Sequence, residues 1–233
     1  MCRASGARAH VGVSRAEWQR RAEELDASLE RGEIDDDRWF AAMTEIFEGA
    51  YLAGENPRAQ SGFGGDEGRW EAARRPIADA VDRDGTFLDI GCASGHLLEC
   101  LVRWTPHHIE PYGLDLSPQL ADLARRRLPR LADRIYVGNA LSWEPPRLFD
   151  FVRTELVYVP AARERQLIER LLGEVVAPRG RLILCGYGSP RSGVVPDPVG
   201  AKARSYGFEP ELELKGEAPE GGPIVELAVL RAG

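Results

Sequence analysis

The chain has 233 residues, 43% hydrophobic and 29% charged, enough to bury one continuous core without disulfide or metal staples. No run of about eighteen apolar residues occurs, and the arginine-bearing N-terminus lacks the apolar stretch of a signal peptide, so a protein without membrane span or leader is expected. The net charge of −7 opposes a surface built for phosphates, and nucleic acid is not an expected partner. Lys202 and Lys215 are the only lysines, which marks the arginines as coding bias. Cys2, Cys92, Cys100 and Cys185 show no C-x-x-C spacing and read as free thiols in a reducing cytoplasm, with no zinc site.

In chain order, residues 14–53 read as helices. Ser14 with Glu17 three residues on forms a capping box. Trp39, Phe40, Met43, Ile46 and Phe47 recur at helical spacing, a stripe that reads as core. The glycine-rich stretch Gly54 to Gly68 is a loop, and a helix follows from about Arg69 to Val81. Thr86 to Ile90 is short, apolar and glycine-bounded, as a buried parallel strand should be. A helix over His96 to Trp104, a strand over Pro111 to Leu116 and a helix capped by Ser117-Pro118 come next. Strands over Arg134–Val137 and Phe149–Thr154, a helix over Arg163–Val176 and a strand over Arg181–Gly186 complete the alternation. Such alternation implies right-handed βαβ units and a mostly parallel sheet. Two last strands, near Glu209–Lys215 and Ile224–Leu230, have no room for a helix between them and should form an antiparallel hairpin.

The chemistry concentrates where the first strand turns into its helix, at Asp89-Ile90-Gly91-Cys92-Ala93-Ser94-Gly95. Open α/β sheets bind ligands at the carboxyl ends of their strands, beside such a turn. Gly91 allows close backbone approach and Gly95 admits the chain to the helix. A dinucleotide site wants a glycine where Ala93 stands, to make room for a pyrophosphate. The spacing therefore suits a ligand without phosphate, and Asp89 would welcome an ammonium-bearing tail.

FLDIGCASG resembles the cofactor loop of class I S-adenosylmethionine-dependent methyltransferases, and four further features follow in the family's order over about residues 69–233. Asp115, in YGLDLS with Leu116 and Ser117, stands where a carboxylate accepts the ribose hydroxyls. Gly138-Asn139-Ala140 stands where the adenine amino group is met; Asn139 departs from the usual acid but can still accept a hydrogen bond. Phe149 to Leu156 and Val176 to Leu182 are similar to the fourth-strand segment and the turn into strand five.

The resemblance implies a Rossmann-like three-layer α/β/α sandwich with a seven-stranded, mostly parallel sheet, bound S-adenosylmethionine and product S-adenosylhomocysteine, and no metal. The implied cofactor residues are Asp89, Gly91, Cys92, Ala93, Gly95, His96, Asp115, Leu116, Ser117, Asn139, Ala140 and Glu155. Glu155 and Tyr158, just past strand four, are the catalytic candidates, weighed against a loop carboxylate and a packing aromatic. His96 reads as a local loop contact, His107 and His108 as surface, and the cluster Arg125, Arg126, Arg127 and Arg130 as a solvated helix face. No [DNS]-P-P-[YF] or Pro-Cys signature of base methylation is present. The expected acceptor is therefore a small molecule methylated on oxygen or nitrogen. A methyltransferase of RNA or protein, a binding module without catalysis and, more distantly, an NAD-type dehydrogenase are the rival readings. Residues 1–68 are expected to form a helical lid over the core 69–233, with Tyr51, Gln60, Ser61, Gly62, Phe63 and Trp70 lining the pocket.

Overall fold

The computed structural model of the chain describes residues 15–233, with side chains from residue 20. The Ser14 cap and Cys2 lie outside the described residues. Helix α1 (Arg15–Glu30) and helix α2 (Asp36–Leu52) come first. Asp35 caps α2, accepting from the Arg38 backbone N–H at 2.8 Å. A single helix over Arg69–Val81 is expected, but the structure has α3 (Glu67–Arg74) and α4 (Pro76–Asp79). Pro76 lacks the N–H that would continue α3, so the chain restarts with proline in the first turn of α4.

Strands β1 (Gly85–Ile90), β2 (Ile109–Asp115), β3 (Ile135–Val137), β4 (Phe149–Thr154) and β5 (Val176–Tyr187) alternate with α5 (His96–Trp104), α6 (Pro118–Arg127) and α7 (Glu164–Arg170). Helix α7 runs on as one π-turn over Leu171–Val175. Helix α8 (Val199–Ser205) precedes β6 (Leu212–Glu217) and β7 (Pro223–Arg231). The sheet order is β3-β2-β1-β4-β5-β7-β6, a seven-stranded Rossmann-like sheet. Strands β1 to β5 run parallel, and β7 enters antiparallel to both β5 and β6. The expected hairpin is present, with its second strand inserted against β5. The order reverses between β1 and β4, so the carboxyl ends of β1, β2 and β4 border one crevice.

Each face of the sheet carries its own apolar cluster. Trp70, Ile77, Leu98, Leu101 and Phe87 pack on one. On the other, Trp39, Phe40 and Met43 of α2 pack with Ile90, Leu114 and Leu156 at the carboxyl ends of the strands. Burying each of these large side chains stabilises by roughly 1.5–3 kcal/mol. Helix α2 is thereby held over the crevice.

Candidate functional site

A cavity of about 210 Å³ lies between the carboxyl ends of β1 and β2 and the inner face of α2. Its floor is the loop after β1. Gly91, Ala93 and Gly95 all have positive φ (76°, 46° and 72°), and the first two line the cavity. Only Ala93 carries a side chain there, and it holds a conformation that costs non-glycine residues of order 1–3 kcal/mol. Its N–H donates to Asp115 Oδ2 at 2.8 Å, which ties the loop to the end of β2. The Ser117 N–H donates to Asp115 Oδ1 at 2.9 Å, and Ser117 Oγ in turn caps α6 at Leu120.

Asp115 lines the cavity. Burial pushes its pKa up to about 6, against the two backbone N–H groups that favour the ionised form. Asn139 lines the cavity, and its Oδ1 accepts from the Leu141 N–H at 2.9 Å, which uses one of that oxygen's two acceptor sites. Phe40, Met43, Ile46, Phe47 and Leu116 supply apolar walls. The α2 stripe, read as core from spacing, is both core and cavity wall.

The glycine loop also meets Tyr158. A Cβ placed on Gly91 would lie 2.5 Å from the Tyr158 ring, so only glycine tolerates this crossing. The Tyr158 hydroxyl donates to Glu155 Oε1 at 2.7 Å. Beneath both sits Arg153 of β4, 2% exposed. Its Nη1 reaches Asp89 Oδ1 at 3.2 Å and the Tyr158 oxygen at 3.3 Å. Its Nη2 reaches Glu155 Oε1 at 2.6 Å and the Tyr187 oxygen at 3.1 Å. Burial raises Asp89 to about 6 and Arg153 opposes that rise; burial also lifts the Tyr158 phenol well above its ordinary value. One buried cation thus joins a carboxylate under the cofactor loop to another at the end of β4.

A second cavity, of about 260 Å³, opens beyond β4 and β5. Trp39, Glu155 and Val157 line both cavities. The second is walled by Glu23, Asp26, Glu164 and Asp197, with Lys202 held between Glu164 at 2.8 Å and Asp197 at 3.0 Å.

Of the sequence-expected residues, Tyr51, Ser61, Gly62, Gly91, Ala93, Asp115, Leu116, Ser117, Asn139, Ala140, Glu155 and Tyr158 line the first cavity. The rest stand behind it. Asp89 is turned to Arg153, and Cys92 is buried against Gly113. Gly95 packs on Leu128, and Gln60 bonds the Gly54 carbonyl. His96 makes the local contacts expected, to Glu99 at 3.3 Å and edge-on to Cys100. Phe63 and Trp70 pack on one another and on the apolar cluster of the opposite face, so both leave the lining. Arg125 and Arg127 are more than a solvated face: Arg125 bonds the Ile135 carbonyl at 3.1 Å and Arg127 the Ser94 carbonyl. Among the described residues no group of three or more His, Cys, Asp or Glu could hold a metal ion, and no helix is long and apolar enough to cross a membrane.

The sheet order and the crevice at the ends of β1, β2 and β4 are what the resemblance to class I S-adenosylmethionine-dependent methyltransferases implies. Residues 87–180 match a family model described as a methyltransferase domain. A trans-aconitate 2-methyltransferase of Methylobacterium radiotolerans is 35% identical over 120 residues, 49% of this chain and 45% of that protein. The chain spans about half the length of the curated relatives it matches. Among solved structures, the N-methyltransferase NodS of Bradyrhizobium japonicum, in complex with S-adenosylhomocysteine, superposes with TM-score 0.52 at 20% identity, covering 89% of this chain and 98% of that one. The 1,6-didemethyltoxoflavin N1-methyltransferase of Burkholderia thailandensis gives 0.61 at 16%, covering 85% and 91%. At these identities the structures speak for the fold.

The residues present fit S-adenosylmethionine, the cofactor that the resemblance implies. Asp115 offers carboxylate oxygens at the end of β2, apolar side chains of α2 line the same cavity, and the floor at Gly91 tolerates no side chain.

Proposed function

We propose that the chain transfers the methyl group of S-adenosylmethionine to an oxygen or nitrogen of a small molecule seated in the second cavity. The observation that carries this reading is that Trp39, Glu155 and Val157 line both cavities. Bound S-adenosylmethionine supplies an electrophilic methyl carbon for in-line displacement. What the chain contributes is alignment and exclusion of water. Asp115 and Asn139 hold the nucleoside end, and α2 covers it. Glu155 lines both cavities, and its carboxylate accepts a hydrogen bond, and where needed a proton, from the attacking hydroxyl or amine. Arg153 and Tyr158 fix that carboxylate. Of the expected lid, the described residues 15–68 cover a core that starts near Arg69, pinned to it where Ser61 Oγ meets Ser94 Oγ at 2.8 Å.

The carboxylates around the second cavity outnumber Lys202 and oppose a polyanionic acceptor, whether nucleic acid or a tricarboxylate such as trans-aconitate. Neutral or amine acceptors suit it better. The test is a screen with methyl-labelled S-adenosylmethionine against phenols, amines and carboxylic acids. Label should pass to an amine or hydroxyl compound, and Glu155→Gln should bind S-adenosylhomocysteine normally while losing about 10²–10⁴-fold in turnover. A donor that binds but labels no small acceptor, with label appearing in RNA or protein instead, would contradict the reading.

A further inference from the structure

The second cavity has a lining of two textures. Trp39, Leu156, Val157, Val159, Val194 and Pro196 make part of it apolar, and Val195 in the same lining is 74% exposed, the most exposed of the large apolar side chains among the described residues. Against this background stands Asp26 of α1. Its Oδ1 accepts from the Trp39 indole N–H at 2.9 Å and from the Ala161 N–H at 3.4 Å. Trp39 is itself buried, so one oxygen of the carboxylate is tied to the packed face of α2. The other, Oδ2, has no hydrogen bond or ion pair among the described residues. Lys202, the one cation of the lining, attracts Asp26 from beyond ion-pair distance, but is itself held by Glu164 at 2.8 Å and Asp197 at 3.0 Å. Burial raises the Asp26 carboxyl above its ordinary value, as it does for an anion only distantly compensated.

A carboxylate fixed at one oxygen and open at the other, in a cavity with an apolar wall, matches a cation that carries an apolar body. We propose that the second cavity takes an amine acceptor, whose ammonium group Asp26 holds at Oδ2 and whose apolar body lies against Val194, Val195 and Pro196. The inference rests on reading that cavity as the acceptor's, and it narrows the acceptor from hydroxyl or amine compounds to amines. The charge of the lining points the same way. Glu23, Asp26, Glu155, Glu164 and Asp197 are set against Lys202 alone, and Arg153 behind Glu155 adds one further cation. A neutral hydroxyl compound leaves that excess uncompensated, and an acid adds to it.

The test is calorimetric titration of the full chain at neutral pH, first with S-adenosylhomocysteine and then, once loaded, with two sets of probes. Phenethylamine, phenethyl alcohol and phenylacetate form one set; hexylamine, hexanol and hexanoate form the other. Within a set the apolar body is shared and the charge differs. The loaded chain should bind the better amine about tenfold or more tightly than its alcohol and its acid, the difference that one charge-assisted hydrogen bond makes. Asp26→Asn keeps an oxygen for the Trp39 and Ala161 N–H groups and removes the charge, so it should erase that preference. Asp26 does not line the first cavity, so S-adenosylhomocysteine affinity should not change in the variant, which also shows that it is folded. Amines that bind no more tightly than their alcohols, or a loaded chain that binds no probe, would overturn the proposal and leave the donor reading standing. Tighter binding of the carboxylates would overturn it too and assign the cavity to Lys202. An Asp26→Asn chain that binds S-adenosylhomocysteine normally and keeps the full preference would also overturn it, placing the ammonium elsewhere. If the wild-type chain does not bind S-adenosylhomocysteine at all, the donor reading fails, and the proposal with it.

Discussion

At the scale of single residues the site is governed by burial of charge. Asp89 and Asp115 are both raised from 3.8 to about 6, chiefly by burial. For a carboxylate raised in the folded state, the folded chain holds protons that the unfolded chain has released. The contribution to stability is therefore full below about 4 and is lost as pH rises through about 6. Ligand hydroxyls that donate to Asp115 favour its ionised form, so binding has the opposite slope. Affinity for S-adenosylhomocysteine should fall below pH 6 by up to about tenfold per unit, and Asp115→Asn should flatten much of that slope while weakening binding at neutral pH. The residual slope in the variant belongs to Asp89. An affinity in the wild-type chain that stays level from neutral pH to about pH 5 would show that Asp115 is not the acceptor.

Residues differed in how far they could be read in advance. Asp115 was legible because a carboxylate closing a strand before a Ser-Pro cap has a fixed place in such a sheet. Arg153 was not, since an arginine in a strand pattern shows no sign that it points inward beneath two carboxylates.

At the scale of elements, α2 joins fold to site. Its apolar stripe is visible as period, but period alone does not separate a core face from a ligand wall. The distinction comes from Trp39, Phe40 and Met43 being shared by the apolar cluster and the cavity. Polar contacts fix its far end: Glu48 accepts from Ser117 Oγ and, at 2.6 Å, from Gln119 Nε2 at the start of α6. Because α2 walls the nucleoside end, its loss should weaken the donor as well as transfer. Met43→Ala should destabilise the chain by about 2–5 kcal/mol and weaken S-adenosylhomocysteine binding, measured by thermal melting and calorimetry together. Cleavage near Gly62–Gly65 in limited proteolysis should slow when S-adenosylhomocysteine is added, since Ser61 and Gly62 line the cavity. Equal cleavage with and without ligand, together with unchanged affinity in Met43→Ala, would reduce α2 to a packing appendage. The element boundaries that escaped sequence reading have local causes. Pro76 splits one expected helix, and a π-turn absorbs the end of another.

At the scale of the whole molecule, the alternating pattern was enough to fix the parallel half of the sheet, because short apolar runs between helices have few other ways to bury both faces. The insertion of β7 between β5 and β6 was beyond it, as the hairpin alone leaves open which strand faces β5. This architecture places two cavities on the carboxyl side of the sheet, one under α2 and one beyond β5, and gives them a shared wall. An acceptor in the second cavity requires the donor in the first. Titration of the chain with S-adenosylhomocysteine and, in parallel, with NAD is the most direct measurement of that claim. Saturable one-to-one binding of S-adenosylhomocysteine with no heat from NAD is the expected result. Binding of NAD with none of S-adenosylhomocysteine would contradict it.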